Sequence, residues 1–202
     1  MDDGSKEQER MESAAKKLGC TYLRIENNSG KGFAVKTGFQ AAKGSFCFFT
    51  DADIPFHPQA IDGMMHYLKG KEFDMAVGDR TLKESHYFDA ISKRRSAVSI
   101  FFSSLVGRFV VAGMFDTQCG LKGFRREIAL DLFSVGRIQG FAFDVEIIYI
   151  ALKRNYDIKR VPVSLRSQEG SSVNILQHSF SMIVDLFKIK LNHLRKRYEK
   201  II

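Results

Sequence analysis

Two carboxylates separated by one residue follow a short apolar run, and they are the side chains of this sequence best suited to hold a metal ion. The run occupies residues 46–50, and the acids are Asp51 and Asp53. If the strand continues through them, the alternation of side chains puts both carboxylates on one face, within reach of one divalent cation. Oxygen ligands favour Mg²⁺ or Mn²⁺. The alternative is a turn, since Asp-Ala-Asp followed by Pro55 also suits the capping of a helix that begins near Pro58.

A glycine-rich loop, Asn-Asn-Ser-Gly-Lys-Gly at residues 27–32, is a candidate phosphate site. It lies between a predicted strand over 21–26 and a predicted helix over 33–43. Its backbone N–H groups, the helix N-terminus and Lys31 can all contact an anion. The loop lacks the G-x-x-x-x-G-K-[ST] spacing of a P-loop, so a plain turn stays open as the alternative.

Three later stretches are also rich in polar groups. The basic cluster at 93–95 begins a long apolar helix, and a bound anion is favoured there because cations are unfavourable at a helix N-terminus. Residues 115–124 form a predicted loop whose role, structural or functional, stays open. Asp144 and Glu146 lie in the first turn of a helix that runs to about Arg154, where capping is their simplest role.

The elements that position these residues alternate between strand and helix, which predicts an α/β fold with a mostly parallel sheet. Ser5 with Gln8 suggests a capping box for a helix to about Lys17. Pro162 indicates that the last strand, over 156–165, lies at a sheet edge. The acids at 2–3 stand where a strand should have just ended, yet none precedes them, so the first strand is expected to be missing. The other predicted elements are a helix over 58–69 and a strand over 73–78.

Composition restricts the class of protein. The 202 residues suit one domain, and the net charge of +8 indicates an anionic partner: nucleic acid, a phosphorylated ligand or a membrane surface. The three cysteines lack paired spacing, which argues against a disulfide framework or a zinc site and for a reducing compartment. Residues 1–19 are charged, so no signal peptide is expected. The segment 96–115 contains Arg108 and four serines, and we expect a buried or interfacial helix there.

The C-terminal segment, residues 175–202, has the pattern of a basic amphipathic helix. It follows a polar loop at 166–174 of the kind that can act as a lid. Such a helix lies on an anionic membrane, binds a partner helix or packs on its own domain, and the sequence leaves these three open. The apolar residues that recur every three or four positions are Leu176, Phe180, Ile183, Phe187, Leu191 and Leu194, and the basic residues are Lys188, Lys190, Arg195, Lys196, Arg197 and Lys200.

Taken together, these segments resemble the inverting family 2 glycosyltransferases of the GT-A fold, most closely the dolichyl-phosphate (polyprenyl-phosphate) glucosyltransferases, with the mannosyltransferases near relatives. The order and spacing of the motifs carry the resemblance. They are Asp2-Asp3-Gly4-Ser5, Asn28-Ser29-Gly30-Lys31-Gly32 with Ala34 and Gly38, Asp51-Ala52-Asp53, Gly78-Asp79-Arg80, Arg95 before the apolar helix, Asp116-Thr117-Gln118-Cys119-Gly120 and Phe143-Asp144-Val145-Glu146. Two departures are the absent first strand with its P-x-[YF]-N-E motif, and Pro55 where some relatives have a further metal ligand.

The resemblance implies a Rossmann-like GT-A domain at 1–174, N-terminally truncated, and a membrane-interface helix at 175–202. It implies transfer of a hexose from a nucleotide sugar, UDP-glucose first and GDP-mannose second, to dolichyl or polyprenyl phosphate. It also implies Mg²⁺ or Mn²⁺ as cofactor, held by Asp51 and Asp53.

The resemblance also implies roles for individual residues. The nucleotide sugar is expected to contact Asp2, Asp3, Lys31, Asp51 and Ala52. The expected catalytic residues are Arg80 and Arg95, which would hold the acceptor phosphate in their guanidinium forks, and Asp116, which would orient or assist the nucleophile.

The implied location is the cytoplasmic face of a membrane: the endoplasmic reticulum in a eukaryote, the inner membrane in a bacterium. The alternative function is a non-catalytic, membrane-associated binding protein derived from such an enzyme. Nucleic acid is the poorer partner, because the basic residues lack interleaved aromatics of the RNP type.

Overall fold

Six strands and six helices make up the part of the chain that the structure describes. The computed structural model describes residues 1–53, 56–70, 73–86, 106–107, 116–164 and 175–199, and only the backbone of 175–180. In chain order the elements are β1 (Asp2–Asp3), α1 (Gln8–Lys17), β2 (Arg24–Ile25), α2 (Lys31–Ala41), β3 (Phe46–Thr50), α3 (Gln59–Lys69), β4 (Met75–Asp79), β5 (Leu121–Arg125), α4 (Arg126–Val135), α5 (Phe143–Lys153), β6 (Ile158–Pro162) and α6 (Ile175–Leu194).

The main sheet has four strands in the order β3-β5-β4-β6. Strands β4 and β6 are parallel, while β5 runs antiparallel to both of its neighbours. Three of the four strands therefore share one direction, and the predicted mostly parallel α/β fold is confirmed with one reversed strand inside it. Strand β6 lies at the edge of the sheet, as Pro162 predicted.

A separate parallel pair joins β1 to β2. Asp2 and Asp3 themselves form the short strand β1, and they pair with Arg24 and Ile25. The strand predicted over 21–26 is shorter than expected, because only Arg24 and Ile25 are in the ladder.

Two predictions of local structure were wrong. Helix α1 begins at Gln8 with Glu7 as its N-cap, because the N–H of Ser5 bonds to the Asp2 carboxylate instead of starting a helix. The loop predicted over 115–124 contains most of β5 (Leu121–Arg125), which pairs with β3 along its whole length and with β4 through residues 122–124. Glycine and lysine inside that strand hide the apolar alternation by which a strand is identified.

The core has a layer on each face of the main sheet. An aromatic layer packs against α2, α4 and α5, and a smaller layer packs against α3. In the aromatic layer, the rings of Phe39 and Phe124 meet edge to face with centroids 5.2 Å apart. Strand β5 contributes to both layers. Gly123 has no room for a side chain, because an added Cβ would lie 2.4 Å from the Phe48 ring.

Helix α5 is buried around almost its whole circumference. Residues 143–151 are all buried, which is typical of a helix inside a domain. Asp144 and Glu146 in its first turn are buried too, and the N-cap position, Ala142, has no side-chain cap. The capping role predicted for these two acids is therefore wrong, and each carboxylate needs another partner inside the protein.

Several predicted features lie outside the described residues: the basic cluster at 93–95 with Arg95, the segment 96–115 apart from 106–107, Pro55, and the loop at 166–174. Within the described residues, no helix combines the length and the apolar character that crossing a bilayer requires.

Candidate active site

Asp51 marks the point where β3 ends and the candidate site begins. The strand stops at Thr50, and the next residues form a turn in which the Asp51 N–H donates to the Gly120 carbonyl at 3.0 Å. Strand alternation therefore does not place the two acids on one face, which corrects that step of the sequence argument. Asp51 is partly buried, whereas Ala52 and Asp53 are exposed.

The Asp51 carboxylate is held from two sides. Lys31, the first residue of α2, places its ammonium 2.5 Å from Oδ1. On the other side the carboxylate lies against Gly120, where an added Cβ would be only 1.9 Å from Oδ2. The sequence predicted both Lys31 and Asp51 as donor-site residues, and the structure brings them into direct contact.

A second ion pair lies deeper, between Lys122 of β5 and Asp144 of α5. The Lys122 ammonium is 2.7 Å from Asp144 Oδ1, and it donates to the Cys119 carbonyl at 2.7 Å. The Lys122 side chain is 1% exposed and also lies 5.3 Å from the centre of the Phe49 ring. Lysine is almost never fully buried unless it is paired, so the Asp144 carboxylate explains why Lys122 can lie in the interior.

The two ion pairs influence each other electrostatically. Burial raises the pKa of Asp144, although the ammonium groups of Lys122 and Lys31 act in the opposite direction. Burial also acts to lower the pKa of Lys31, but the carboxylates of Asp144 and Asp51 outweigh it, and the net pKa is raised. Two cations and two anions thus form a row from the buried sheet to the partly exposed Asp51.

The backbone N–H groups of the glycine-rich loop are largely taken by protein acceptors. Ser29 and Gly30 donate to the Asp3 carboxylate at 2.8 Å each, and Gly32 and Phe33 donate to the Gln139 carbonyl at 2.6 and 3.3 Å. The structure thus favours the turn over the backbone phosphate cradle, and it leaves the Lys31 side chain as the group of this loop that faces Asp51.

Gly30 is required by its surroundings. Its φ of 96° is unfavourable for other residues, and an added Cβ would lie 2.6 Å from the Gln139 carbonyl oxygen.

Asp2 and Asp3 hold the start of the chain against this loop. Asp3 binds the two N–H groups just described. Asp2 accepts hydrogen bonds from the Tyr22 hydroxyl at 2.6 Å and from Arg24 at 2.7 Å. The bonds from Tyr22 and from the Ser5 N–H strongly lower the pKa of Asp2. Both acids therefore have structural partners beside the site, and their predicted contact with a nucleotide stays a prediction.

Arg80 and Asp116 form a third pair. The guanidinium binds the carboxylate through Nε at 2.8 Å and Nη2 at 2.7 Å, and the Arg80 backbone N–H donates to it at 2.7 Å. Asp116 is 1% exposed. Asp116 therefore holds the Arg80 guanidinium in this structure, and its predicted role toward the nucleophile stays a prediction.

The segment 116–122 connects all three pairs: Asp116 binds Arg80, Gly120 lies against Asp51, and Lys122 binds Asp144. Sequence reasoning did not identify Lys122, and it assigned Asp144 to capping. A lysine set between glycines and apolar residues was the available signal, since such a strand has little reason to expose it.

The chemistry of the acids decides whether a divalent cation fits. Within the described ranges, no three histidine, cysteine or acidic side chains converge into a closed metal site. Asp51 and Asp53 offer oxygen donors separated by one residue in sequence, one partly buried and one exposed. Mg²⁺ is commonly bound by one or two carboxylates together with substrate phosphates, and this donor set fits such a shared site.

Comparisons with known proteins agree on one family. The family model described as Glycosyl transferase family 2 matches residues 1–133. The chain is 33% identical to dolichyl-phosphate beta-glucosyltransferase of Dictyostelium discoideum over 96% of this chain and 62% of the relative. It is 30% identical to the protein of the same name from Homo sapiens over 96% of this chain and 63% of the relative. The chain thus spans about three fifths of the length of these relatives.

Solved structures with the same fold come from Mycobacterium tuberculosis. Glucosyl-3-phosphoglycerate synthase in complex with UDP superposes with a TM-score of 0.68 at 18% identity, covering 92% of this chain and 66% of that one. The complex of the same synthase with Mn²⁺, UDP-glucose and phosphoglyceric acid gives a TM-score of 0.68 at 16% identity, covering 94% and 67%.

Proposed function

The chain belongs to glycosyl transferase family 2 and has the GT-A fold, and we propose that it transfers glucose from UDP-glucose to the phosphate of dolichol or another polyprenol. The observation that carries this proposal is the 33% identity to a dolichyl-phosphate beta-glucosyltransferase across 96% of the chain. GDP-mannose is the second candidate donor.

The donor diphosphate is proposed to bind where Lys31 meets Asp51. The Lys31 ammonium carries the charge that a diphosphate needs, and its raised pKa keeps it protonated at neutral pH. In the described structure that ammonium is bound to Asp51. When the donor binds, its diphosphate and the Asp51 carboxylate therefore compete for the Lys31 ammonium.

A divalent cation held by Asp51 would relieve this competition. We propose that Asp51 and Asp53 hold Mg²⁺ or Mn²⁺ together with the donor phosphates, and that the cation supplies Lewis-acid stabilisation of the leaving diphosphate. The Mn²⁺ and UDP-glucose in the complex of the mycobacterial synthase support this proposal. With Asp51 engaged in this way, the Lys31 ammonium would be available to contact the donor.

The acceptor phosphate is proposed to bind Arg80 and Arg95. Asp116 fixes the Arg80 guanidinium through two hydrogen bonds, which reduces the freedom that the arginine loses on binding. A phosphate monoester is largely doubly ionised near pH 7, so it attacks without first losing a proton and needs orientation more than a base.

The proposed transfer forms one bond and breaks one bond, and it needs no proton transfer. A phosphate oxygen of the acceptor bonds to the anomeric carbon, the bond from that carbon to the β-phosphate oxygen breaks, and UDP leaves with the electron pair. One such in-line displacement inverts the anomeric carbon, and we propose this inverting course for the chain.

We further propose that α6 lies on the cytoplasmic surface of a membrane. Its core face includes the buried residues Met182 and Ile189. Of the apolar row identified from the sequence, the four residues whose side chains the structure describes are exposed: Ile183, Phe187, Leu191 and Leu194, with Phe187 74% and Leu194 78% exposed. Packing on the domain does not account for this row, whereas a bilayer interface does.

Basic side chains stand next to the exposed row. The exposed residues Arg195, Lys196 and Arg197 directly follow it. Each basic residue near an anionic leaflet contributes about 1 kcal/mol of attraction. The combination of apolar row and adjacent positive charge is the reason for choosing an anionic lipid surface over a partner helix.

The transfer proposal is tested by incubating the chain with labelled UDP-glucose, polyprenyl phosphate and Mn²⁺, followed by organic extraction. Label in the organic phase, dependent on acceptor and metal, is the expected result. GDP-mannose is the parallel arm. Nucleotide-sugar binding without transfer of either sugar would favour the non-catalytic binding protein instead.

Arg95→Ala tests the acceptor assignment. It should weaken the use of polyprenyl phosphate and leave nucleotide binding nearly unaltered, because the arginine is assigned to the acceptor alone. An equal loss of nucleotide affinity would move Arg95 to the donor diphosphate.

Flotation with anionic liposomes tests the membrane proposal. The intact chain should float, and a chain that ends at Val173 should not. High salt should weaken flotation only partly, because salt screens the basic residues but not apolar burial. Equal flotation of the two chains would reject α6 as the anchor, and failure of the intact chain to float would reject the membrane proposal.

A further inference from the structure

Glu146 is a fully buried carboxylate whose contacts lie at the junction of three segments. Its Oε2 accepts hydrogen bonds from the backbone N–H groups of Arg137 and Ile138, both at 2.8 Å. Its Oε1 accepts the Tyr198 hydroxyl at 2.6 Å. Burial raises the pKa of Glu146, while these hydrogen bonds act to lower it. A buried carboxylate with three donors is a costly feature that holds its partners in one geometry.

Tyr198 lies four residues beyond α6, and both its backbone carbonyl and its side-chain hydroxyl are hydrogen-bonded within the domain. Arg154 donates to its backbone carbonyl at 2.7 Å, and Asn192 of α6 lies 3.4 Å from its hydroxyl. The ring is 6% exposed and belongs to the aromatic core layer. The phenol thus fixes the end of the C-terminal helix to Glu146.

The segment that Glu146 holds continues directly into the candidate site. Gln139 follows Ile138, and its carbonyl accepts the N–H groups of Gly32 and Phe33 at the start of α2. Immediately before them, at the first position of α2, stands Lys31, whose ammonium binds Asp51 at 2.5 Å. An unbroken series of contacts therefore runs from Tyr198 through Glu146 and residues 137–139 to Lys31.

We propose that Glu146 and Tyr198 are positioning residues through which the C-terminal helix fixes the start of α2 and thereby the Lys31 ammonium. Neither residue contacts the donor in this proposal. The hydroxyl holds the carboxylate, the carboxylate holds two backbone N–H groups, and the next carbonyl holds the first turn of α2. The consequence for donor binding rests on the proposed function, whereas the coupling itself does not.

Tyr198→Phe removes the hydroxyl and leaves the ring in the core. Amide hydrogen exchange, resolved by NMR, is the measurement. We expect exchange at Arg137, Ile138, Gly32 and Phe33 to accelerate by about tenfold, since a hydrogen bond to a charged group is lost. Amides in the β3–β5 ladder serve as the internal reference and should keep their rates.

Tyr156→Phe is the matched control, because its hydroxyl donates to Asp131 at 2.7 Å instead of to Glu146. It should leave exchange at Gly32 and Phe33 unchanged. The inference is overturned if Tyr198→Phe accelerates only Arg137 and Ile138, which would make the contact local. It is also overturned if the β3–β5 amides accelerate by the same factor, which would reflect a general loss of stability.

A second measurement separates this inference from the proposed function. Calorimetric titration with UDP-glucose and Mn²⁺ should show weaker binding to Tyr198→Phe than to Tyr156→Phe. If the unaltered chain binds no nucleotide sugar, the proposed function fails while the exchange result still decides the coupling. If it binds and both variants keep its affinity, the coupling does not reach the donor site and the inference is wrong.

Discussion

Gly120→Ala is expected to disable the candidate site while leaving the fold intact. An added Cβ would lie 1.9 Å from Asp51 Oδ2 and 2.3 Å from its Cγ. The carboxylate would have to move by about 1.1 Å to reach the 3.0 Å below which real Cβ contacts essentially do not occur. The obstructing group is the end of a short side chain, so the carboxylate moves and the backbone can stay.

The size of that movement sets the expected effect. The Lys31 ammonium is 2.5 Å from Asp51 Oδ1, and a shift of about 1 Å redirects or breaks that contact. Misplacement of a catalytic group by about 1 Å can reduce turnover by roughly 100-fold. We expect a loss of that order in glucose transfer, at least about tenfold weaker Mn²⁺-dependent binding of UDP-glucose, and a change in unfolding free energy within about 1 kcal/mol.

Two other glycines provide controls. Gly63→Ala in α3 would place Cβ 3.5 Å from Val161, an ordinary contact, and should change neither activity nor stability for the worse. Gly123→Ala would place Cβ 2.4 Å from the Phe48 ring and should lower the free energy of unfolding by about 1–3 kcal/mol. Urea denaturation, calorimetry and the transfer assay measure all three variants. Unchanged binding and turnover in Gly120→Ala, or destabilisation equal to that of Gly123→Ala, would refute the reasoning.

Three further predictions concern charged groups. Asp51→Asn and Asp53→Asn should each abolish Mn²⁺-dependent nucleotide-sugar binding; calorimetry that shows unchanged affinity in folded variants would remove both from the metal site. Lys122→Met should cost about 3–5 kcal/mol in urea denaturation, because it leaves a buried carboxylate without its counter-charge; a loss below 1 kcal/mol would contradict that account. Burial raises the pKa of Glu146, so the folded state binds more protons than the unfolded state as pH rises above about 4.3. The stability of the wild type relative to Glu146→Gln should therefore fall across that window, and a rise with pH would show that the hydrogen bonds outweigh burial.

The sequence predicted those elements whose pattern is local. Strand β3 was predicted from an unbroken apolar run, α3 as a helix that begins near Pro58, and the edge position of β6 from one proline. Lys31 and Asp51 were predicted as site residues, and the structure brings them together. In each case the evidence lay within a few residues of the feature.

The buried charges could not be predicted in the same way. Lys122 can be buried because it pairs with the carboxylate of Asp144, which lies 22 positions later in the sequence and on a different element. The end of β3 likewise depends on Gly120, which binds the Asp51 N–H from a distant part of the chain. Strand and helix patterns describe which residues share a face, but they do not say which element covers that face.

Helix α6 illustrates this with two apolar faces. The four members of the sequence-identified row whose side chains the structure describes are exposed, while Met182 and Ile189 of the same helix are buried. Periodicity does not say which row packs, because that depends on the parts of the chain that lie against α6, among them α5 and Gln118. The proposals for this region are separable for the same reason. The Tyr198 hydroxyl is inside the core, so its removal should leave liposome flotation unchanged, whereas Phe187→Ser on the exposed row should weaken flotation and leave the exchange of the α2 amides as it was.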